Sequence, residues 1–430
     1  MPVMSYNTYT LDNGLRIIHL PSDSEVVYCG YQIAAGTRHE ESGEEGLAHF
    51  CEHVTFKGTE RRNSIKIINE LERVGGDINA FTNKEDTVYY AAVLREHLPK
   101  AVDLLTDMVF HSTYPQSEID KEVEVICDEI ESYNDLPAEL IYDDFENLLF
   151  CGHPLGHNIL GTTESVRRFT TDDALRFAGK YYTPGNAVLF VYGGDGLTKK
   201  MKAVLDEIPV RGSCRKENVS QPVNGMETGD RTGVSARTVE EMNLDCGGER
   251  KVCRHLNTHQ AHVMTGNRAY SVNDPRRWTL YLMNNMIGGP GMNTRLNIAL
   301  RERRGLVYGV ESSMVAYGDT GMWCSYFGCD SADVDKCLGI VRRELACFVS
   351  KPLSKVQLAA AKRQLKGQLG VASDNRENFA LSFGKSFLHY GSGRDLEETF
   401  RRIDEITPED IRQVAAEIFA PDKMTTLIYK

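Results

Sequence analysis

The fold is decided by the stretch GLAHFCEHV, residues 46–54. It contains His49, Glu52 and His53 in the order His-x-x-Glu-His, the reverse of the His-Glu-x-x-His order found in many zinc sites. Residues four apart lie one above the other on a helix, so His49 and His53 direct two imidazoles at one point, with Glu52 beside them. This geometry predicts a Zn²⁺ site that needs a third protein ligand and keeps one position for water. Two surface histidines on a helix would give the same spacing.

A second helix offers candidates for the third ligand. Apolar residues recur at helical spacing over residues 117–132, which predicts an amphipathic helix with acids beside its buried stripe. Glu122 and Glu129 are seven apart and share one face. The pattern alone leaves five acids as equal candidates: Glu122, Glu124, Asp128, Glu129 and Glu131.

The chain repeats itself at long period. Five identities share an offset of 237 (407 minus 170): Thr170 with Thr407, Asp173 with Asp410, Ala178 with Ala415, Pro184 with Pro421, and Tyr192 with Tyr429. Each copy reads as an N-cap threonine, an amphipathic helix, a proline stop and an apolar strand. Two homologous halves with an α+β fold are therefore predicted.

The repeat divides the chain into three parts. Residues 1–210 are predicted to form the N-terminal, catalytic half and residues 237–430 the C-terminal half. Residues 211–236 are rich in Gly, Ser, Asn and Pro without an apolar period, so we interpret them as a linker. Early strands are expected at 15–20 and 26–34. The glycine-rich run 287–292 follows no predicted strand, which favours a hinge or tight turn over a phosphate-binding loop.

Bulk properties exclude several functions. The 430 residues carry a net charge of −12, so no chain-wide basic field exists to hold nucleic acid. No apolar run reaches the roughly 18 residues of a membrane span, and the N-terminus lacks a secretory pattern. The eleven cysteines are odd in number and never form CxxC, which indicates reduced thiols. A cytoplasmic enzyme with no nucleic-acid or membrane partner is expected.

Residues 47–59 resemble the metal-binding block of pitrilysin-type inverzincin zinc metallopeptidases, in the mitochondrial-processing-peptidase-like branch. The resemblance covers nearly the whole chain and implies two sandwich-like halves, each an antiparallel-rich sheet packed with helices. It implies one Zn²⁺ per chain held by His49, His53 and Glu129, which lies 76 positions after His53 (129 minus 53). Glu52 would be the general base, and Glu122 would orient a ligating imidazole.

Two further blocks match the family. Residues 76–82 resemble the edge strand to which substrate backbone adds, with Asn79, Ala80 and Phe81 as substrate-binding residues; an ordinary buried strand would also explain them. Arg301 and Tyr308 resemble a catalytic pair that reaches the scissile carbonyl. A surface basic cluster followed by a strand is the alternative interpretation.

The metal chemistry is expected in the first half only. At the 237 offset the three ligand positions become Met286, Pro290 and Lys366, which cannot hold zinc as a set. The family implies an endopeptidase that cleaves unfolded peptides or presequence-like segments in an enclosed chamber. Because both the metal motif and the Arg–Tyr pair are present, a homodimer is expected. A catalytically inactive core subunit of the same fold and a zinc-binding sensor are the rival hypotheses.

Overall fold

A computed structural model describes residues 5–209, 242–246, 249–256, 258–393 and 395–430. The predicted linker, residues 211–236, lies outside the described residues. The predicted boundaries at 210 and 237 also lie outside them and stay predictions. The described residues before this gap are called the first half below, and those after it the second half.

The first half contains one sheet and the helices that cover it. Its strands are β1 (Asn7–Thr10), β2 (Arg16–Leu20), β3 (Val26–Ile33), β4 (Asp77–Thr82), β5 (Thr87–Leu94) and β6 (Ala187–Tyr192). Its helices are α1 (Leu47–Thr55), α2 (Ser64–Glu72), α3 (Leu98–His111), α4 (Gln116–Asn134), α5 (Pro137–Leu149), α6 (Thr163–Val166), α7 (Thr171–Tyr181) and α8 (Lys199–Asp206).

The second half repeats this plan. Its strands are β7 (Met242–Cys246), β8 (Glu249–Arg254), β9 (Ala261–Ala269), β10 (Val307–Ala316), β11 (Gly321–Cys329) and β12 (Thr425–Tyr429). Its helices are α9 (Arg277–Gly288), α10 (Val334–Ser350), α11 (Lys355–Ala372), α12 (Arg376–Tyr390), α13 (Leu396–Glu405) and α14 (Pro408–Ile418), with a short π-helix at Asn297–Glu302.

The two sheets have the same topology. The first runs β1-β2-β6-β3-β5-β4 and the second β7-β8-β12-β9-β11-β10, so each strand has a counterpart in the same place. In each sheet one pair is parallel, β2 with β6 and β8 with β12, and the other pairs are antiparallel. The α+β prediction with two homologous, antiparallel-rich halves is confirmed.

The repeated helices α7 and α14 begin at equivalent residues because each has the same N-terminal capping sequence. Thr170 and Asp173 form a capping box at α7, and Thr407 and Asp410 form the same box at α14. Each box satisfies backbone N–H groups that the first helical turn leaves free. The strands expected at 15–20 and 26–34 are observed as β2 and β3. The run 287–292 ends α9 and continues as a turn, as expected.

The halves exchange one helix each. α12 of the second half packs on β3 and β6, and α5 of the first half packs on β9 and β12. Each exchange buries an apolar cluster drawn from both halves. The α12 cluster joins Ile18, Leu20, Val88, Tyr90, Val188 and Phe190 to Phe379, Ala380, Phe383, Phe387 and Leu388. The α5 cluster joins Leu140, Ile141, Phe145, Phe150 and Leu155 to Val252, Met264, Tyr317, Met322, Cys324, Leu427 and Tyr429.

Polar contacts fix the exchanged helix α12. The buried carboxylate of Asp86 accepts from Lys385 Nζ at 2.8 Å and from His389 Nε2 at 3.1 Å. Gln32 Nε2 donates to the backbone oxygen of Leu381 at 2.7 Å. Because a buried charge left without its partner is costly, these contacts hold α12 at one position on the sheet.

Phe383→Ala should lower the free energy of unfolding by about 3 to 5 kcal/mol, because Phe383 is 1% exposed and its loss leaves a cavity between α12 and the first-half sheet. Urea unfolding followed by circular dichroism measures the change. Val371→Ala is the control, since Val371 is 76% exposed on α11 and its truncation should change stability little. Equal stability of the Phe383 variant and the parent would contradict the α12 packing.

Candidate metal centre

α1 carries His49, Glu52 and His53 and is fixed at its N-terminus. Gly46 precedes the helix with φ of +96°, and a Cβ there would lie 2.8 Å from the Cα of Gly161, so only glycine fits. The buried carboxylate of Glu40 accepts from the backbone N–H of Gly46 at 3.0 Å and of Ala48 at 2.7 Å. A negatively charged carboxylate at the N-terminus of a helix also interacts favourably with the helix dipole. The helix is thereby fixed in position before any ligand contributes.

α4 brings a carboxylate to the two imidazoles. Its apolar stripe is buried, and Glu122 and Glu129 project from the adjoining face, as the seven-residue spacing predicts. Glu129 Oε1 lies 3.8 Å from His49 Nε2, and Glu129 Oε2 lies 3.3 Å from His53 Nε2. One ligand atom from each of these residues lies within 4.8 Å of the other two. The structure thus brings together the three residues that the family resemblance implied as ligands.

This donor set fits a zinc ion. Two imidazole nitrogens and one carboxylate oxygen are the three protein ligands of many catalytic zinc sites, with bonds of about 2.0 to 2.2 Å. Such bonds place tetrahedral ligand atoms roughly 3.3 Å apart, close to the 3.3 Å and 3.8 Å separations observed. His49 is buried whereas Glu129 is exposed, so one side of the cluster is open to solvent. An open side leaves room for water or substrate.

The two imidazoles differ in their electrostatic surroundings. Burial, followed by the charge of His53, lowers the pKa of His49 to about 4. Burial also acts to lower the pKa of His53, but hydrogen bonds with Glu122 and Glu129 outweigh it and raise that pKa to about 9. The hydrogen bond with His53 lowers the pKa of Glu129. At neutral pH a proton on His53 therefore competes with a metal ion for this site.

Glu122 links His53 to a lysine that sequence reasoning missed. The Nδ1–H of His53 donates to Glu122 Oε1 at 3.0 Å, and Lys57 Nζ donates to Glu122 Oε2 at 2.5 Å. Both oxygens of Glu122 are thus used, which leaves His53 Nε2 facing Glu129. Lys57 lies two residues beyond the end of α1, so the helical spacing that selected His53 does not mark it. His49 Nδ1, by contrast, is buried and has no hydrogen-bond partner among the residues that the structure describes.

Glu52 is buried beside the ligand cluster without contributing to it. Its side chain is held by Thr82, whose Oγ1 donates to Glu52 Oε2 at 2.6 Å. Burial raises the pKa of Glu52, and the hydrogen bond from Thr82 opposes that rise. A carboxylate whose pKa is raised is better suited to accept a proton and release it again. Thr82 was not among the predicted site residues.

The predicted substrate strand lies at a sheet edge. β4 pairs only with β5 and ends the first sheet, so its outer side is free among the described strands. Asn79, Ala80 and Phe81 lie within β4, and the backbone N–H of Ala80 donates to the side chain of Asn79 at 3.0 Å. Thr82, the last residue of β4, touches Glu52. The edge therefore ends at the predicted base.

Arg301 and Tyr308 lie together in the second half. The guanidinium of Arg301 lies 5.6 Å from the ring centre of Tyr308, and Tyr308 is 86% exposed. Arg301 sits in the π-helix, a distortion common at functional sites. Within the described residues no hydrogen bond or ion pair joins either side chain to His49, His53 or Glu129.

The second half has different residues at the ligand positions. Met286 lies in α9, Pro290 follows that helix, and Lys366 lies in α11, where it pairs with Asp404 at 2.8 Å. The cluster of His49, His53 and Glu129 is the one set of potential metal ligands among the described residues. The candidate metal site found in the part of the chain that the structure describes therefore lies in the first half.

Family comparisons agree with this division. Residues 17–163 match the family described as insulinase, peptidase family M16, and residues 168–365 match the M16 inactive domain. The chain is 32% identical to the uncharacterized zinc protease YmxG of Bacillus subtilis, over 98% of this chain and 97% of that protein. It is 34% identical to the uncharacterized zinc protease SCO5738 of Streptomyces coelicolor, over 95% and 86%. The chain belongs to peptidase family M16, a zinc protease family.

Solved structures share the fold. A protease from Helicobacter pylori matches with a TM-score of 0.82 at 20% identity, over 100% of both chains. An M16 inactive domain from Pseudomonas fluorescens matches with a TM-score of 0.82 at 19% identity, over 99% of this chain and 97% of that one. The resemblance inferred from the sequence is confirmed at the level of the family. No helix among the described residues combines the length and apolar character needed to cross a bilayer.

Glu129→Gln should weaken zinc binding by more than about 100-fold, because loss of a residue that merely supports a ligand already costs about 10- to 100-fold. Elemental analysis after dialysis against a zinc buffer measures the bound metal. Glu131→Gln, on the exposed face of the same helix, is the matched control and should keep the parental zinc content. Unchanged zinc in the Glu129 variant would mean that another residue supplies the third ligand.

Proposed function

We propose that this protein is a zinc-dependent endopeptidase that cleaves unfolded peptides. The proposal is supported chiefly by one observation: the carboxylate of Glu129 meets His49 and His53, while the buried Glu52 stands beside them and is not one of the three. Three ligands, an open side and a separate base are the parts that hydrolysis at a metal requires. We propose one zinc ion per chain.

Each side chain at the site has a separate role in the proposed reaction. A zinc ion held there would acidify water and polarise the scissile carbonyl. Glu52 accepts the proton of the attacking water and returns it to the leaving amine. Glu122 holds His53 in one tautomer, and Lys57 keeps Glu122 ionised. Burial of Glu52 supports its role, because a raised pKa brings a carboxylate closer to neutral pH.

Substrate is proposed to bind as an added strand on β4. The outer side of β4 carries backbone groups without a partner strand among the described residues, and an extended peptide can pair with them. Asn79, Ala80 and Phe81 would line this peptide. Most backbone groups of a folded protein are already paired within its own sheets and helices, whereas an unfolded segment has its backbone free, which supports unfolded or presequence-like segments as the substrate class.

We further propose a homodimer in which each site is completed by the partner chain. Tyr308 is 86% exposed and the guanidinium of Arg301 lies near its ring. Both side chains are nevertheless proposed to act on the scissile carbonyl of a bound peptide. A twofold dimer would bring the Arg301 and Tyr308 of one chain over the metal centre of the other and enclose a chamber. There they would stabilise charge on the carbonyl oxygen.

A cytoplasmic location is also proposed. Nine cysteines among the described residues are free thiols, and most of them are buried. Thiols in this number are typical of proteins that fold in a reducing compartment.

Glu52→Gln should keep its zinc but lose peptide hydrolysis by about 10²- to 10⁴-fold, because the amide cannot accept the proton of water. Cleavage of a quenched fluorescent peptide, together with elemental analysis, gives both quantities. A Glu52→Gln protein with full zinc and parental activity would remove Glu52 as the base. A parent protein that binds zinc but cleaves no peptide would favour the zinc sensor, and one that does neither would favour the inactive core subunit.

A mixture of Glu52→Gln and Tyr308→Phe chains should recover about one quarter of the parental activity, although each variant alone is slow. Random mixing makes half of the dimers mixed, and each mixed dimer has one intact site if Tyr308 acts on the partner. The variants are mixed, dissociated and reassociated before assay. Recovery no greater than the sum of the separate variants would mean that Tyr308 acts within its own chain or not at all.

A further inference from the structure

We infer that Thr82 is a positioning residue for Glu52, and that the second half holds Thr82 in place through the turn formed by residues 83–86. The inference rests on the proposed function, since Glu52 needs precise placement only if it acts as a base. The second half would thereby help to order the site of the first half.

The contact between Thr82 and Glu52 is short and direct. The hydroxyl of Thr82 donates to Glu52 Oε2 at 2.6 Å, the length of a hydrogen bond to a charged acceptor. No other hydrogen bond to the Glu52 carboxylate occurs in the described residues, so Oε1 stays available to water. One oxygen is therefore fixed and the other is free to take a proton. Losing the hydroxyl would let the carboxylate turn about its side-chain bonds.

Thr82 is held because the turn after it is anchored. Thr82 ends β4 and pairs with Thr87, which begins β5. Asn83 closes the turn, with its backbone N–H donating to the oxygen of Asp86 at 2.8 Å and its side chain donating to the Asp86 carboxylate at 2.7 Å. Thr87 Oγ1 donates to the backbone oxygen of Ala35 at 2.9 Å. The hydroxyl of Thr82 thus projects from a fixed frame.

Groups of the second half supply two anchors for this turn. Asp86 is fully buried and takes ion pairs from Lys385 and His389 of α12, at 2.8 Å and 3.1 Å. Glu85 accepts from the backbone N–H of Gly318, in the turn between β10 and β11, at 3.0 Å. Arg38 of the first half joins the same cluster, paired with Glu85 at 2.7 Å. The second half therefore holds the turn that directly follows Thr82, the residue in contact with Glu52.

Thr82→Val removes the hydroxyl at nearly constant volume and should lower kcat by about 10- to 100-fold, the cost expected of a misplaced catalytic group. KM should change little, because the β4 backbone that would bind peptide is kept. Thr82→Ser keeps a hydroxyl and should restore most of the parental kcat. Peptide binding to the zinc-free protein, measured by fluorescence anisotropy, should be equal in all three proteins.

Two controls separate positioning from general damage. Thr8→Val makes the same substitution in the exposed strand β1, at the other edge of the sheet, and should leave kcat unchanged. Zinc content should be parental in every variant. A Thr82→Val protein with parental kcat, or a Thr82→Ser protein as slow as Thr82→Val, would overturn the role of Thr82. Loss of zinc in Thr82→Val would do the same, since it would place the defect at the metal.

The anchor is tested by a double-mutant cycle. Lys385→Met removes one partner of Asp86 and should lower kcat by about 2- to 10-fold, within the range of ordinary coupling between contacting groups. In the Thr82→Val background the same change should have no further effect on kcat. Independent, multiplicative effects would overturn the link through the turn. Glu52→Gln stays inactive under the proposed function whichever way these variants behave, so failure of this inference and failure of that function are distinguishable.

Discussion

The structure depends on the contact between two helices of the first half, α1 and α4. The buried stripe of α4 fixes which of its acids face α1, and that face carries Glu122 and Glu129 to opposite nitrogens of His53. Attraction to a histidine would not by itself place Glu129 there, because Glu129 is exposed and exposed ion pairs contribute little. Apolar packing places the two carboxylates, and these carboxylates then raise the pKa of His53.

Local periodicity was sufficient to predict the repeated elements and part of the metal centre. Helical spacing placed His49 and His53 on one face, and the 237 offset predicted both halves and the final strand of each, which ends at Tyr192 in β6 and at Tyr429 in β12. Periodicity left five acids of α4 as equal candidates for the third ligand, because it identifies the buried face of a helix but not the element that packs against it. The family resemblance selected Glu129. β1 was missed, since all four of its residues are exposed and show no alternation.

Long-range contacts could not be predicted in this way. Thr82 lies 30 residues from Glu52, and nothing in the composition of β4 marks one hydroxyl as a partner of a buried acid. The exchange of α5 and α12 could not be predicted from the sequence for the same reason. Each helix has an apolar face, but the pattern does not say that the face covers the sheet of the other half. Such partners become visible only when the sheets are in place.

The exchanged helices also constrain how the chain is made. β6, the last strand of the first sheet, is synthesised by residue 192, yet the helix that covers β3 and β6 begins at Arg376. Until that segment leaves the ribosome, one apolar face of the first sheet has no cover, and this includes Val188 and Phe190. Domains ordinarily fold in the order in which they are translated. Here the first half cannot finish folding until α12 has been made, so this apolar face of its sheet stays uncovered while the chain grows from Tyr192 to Arg376.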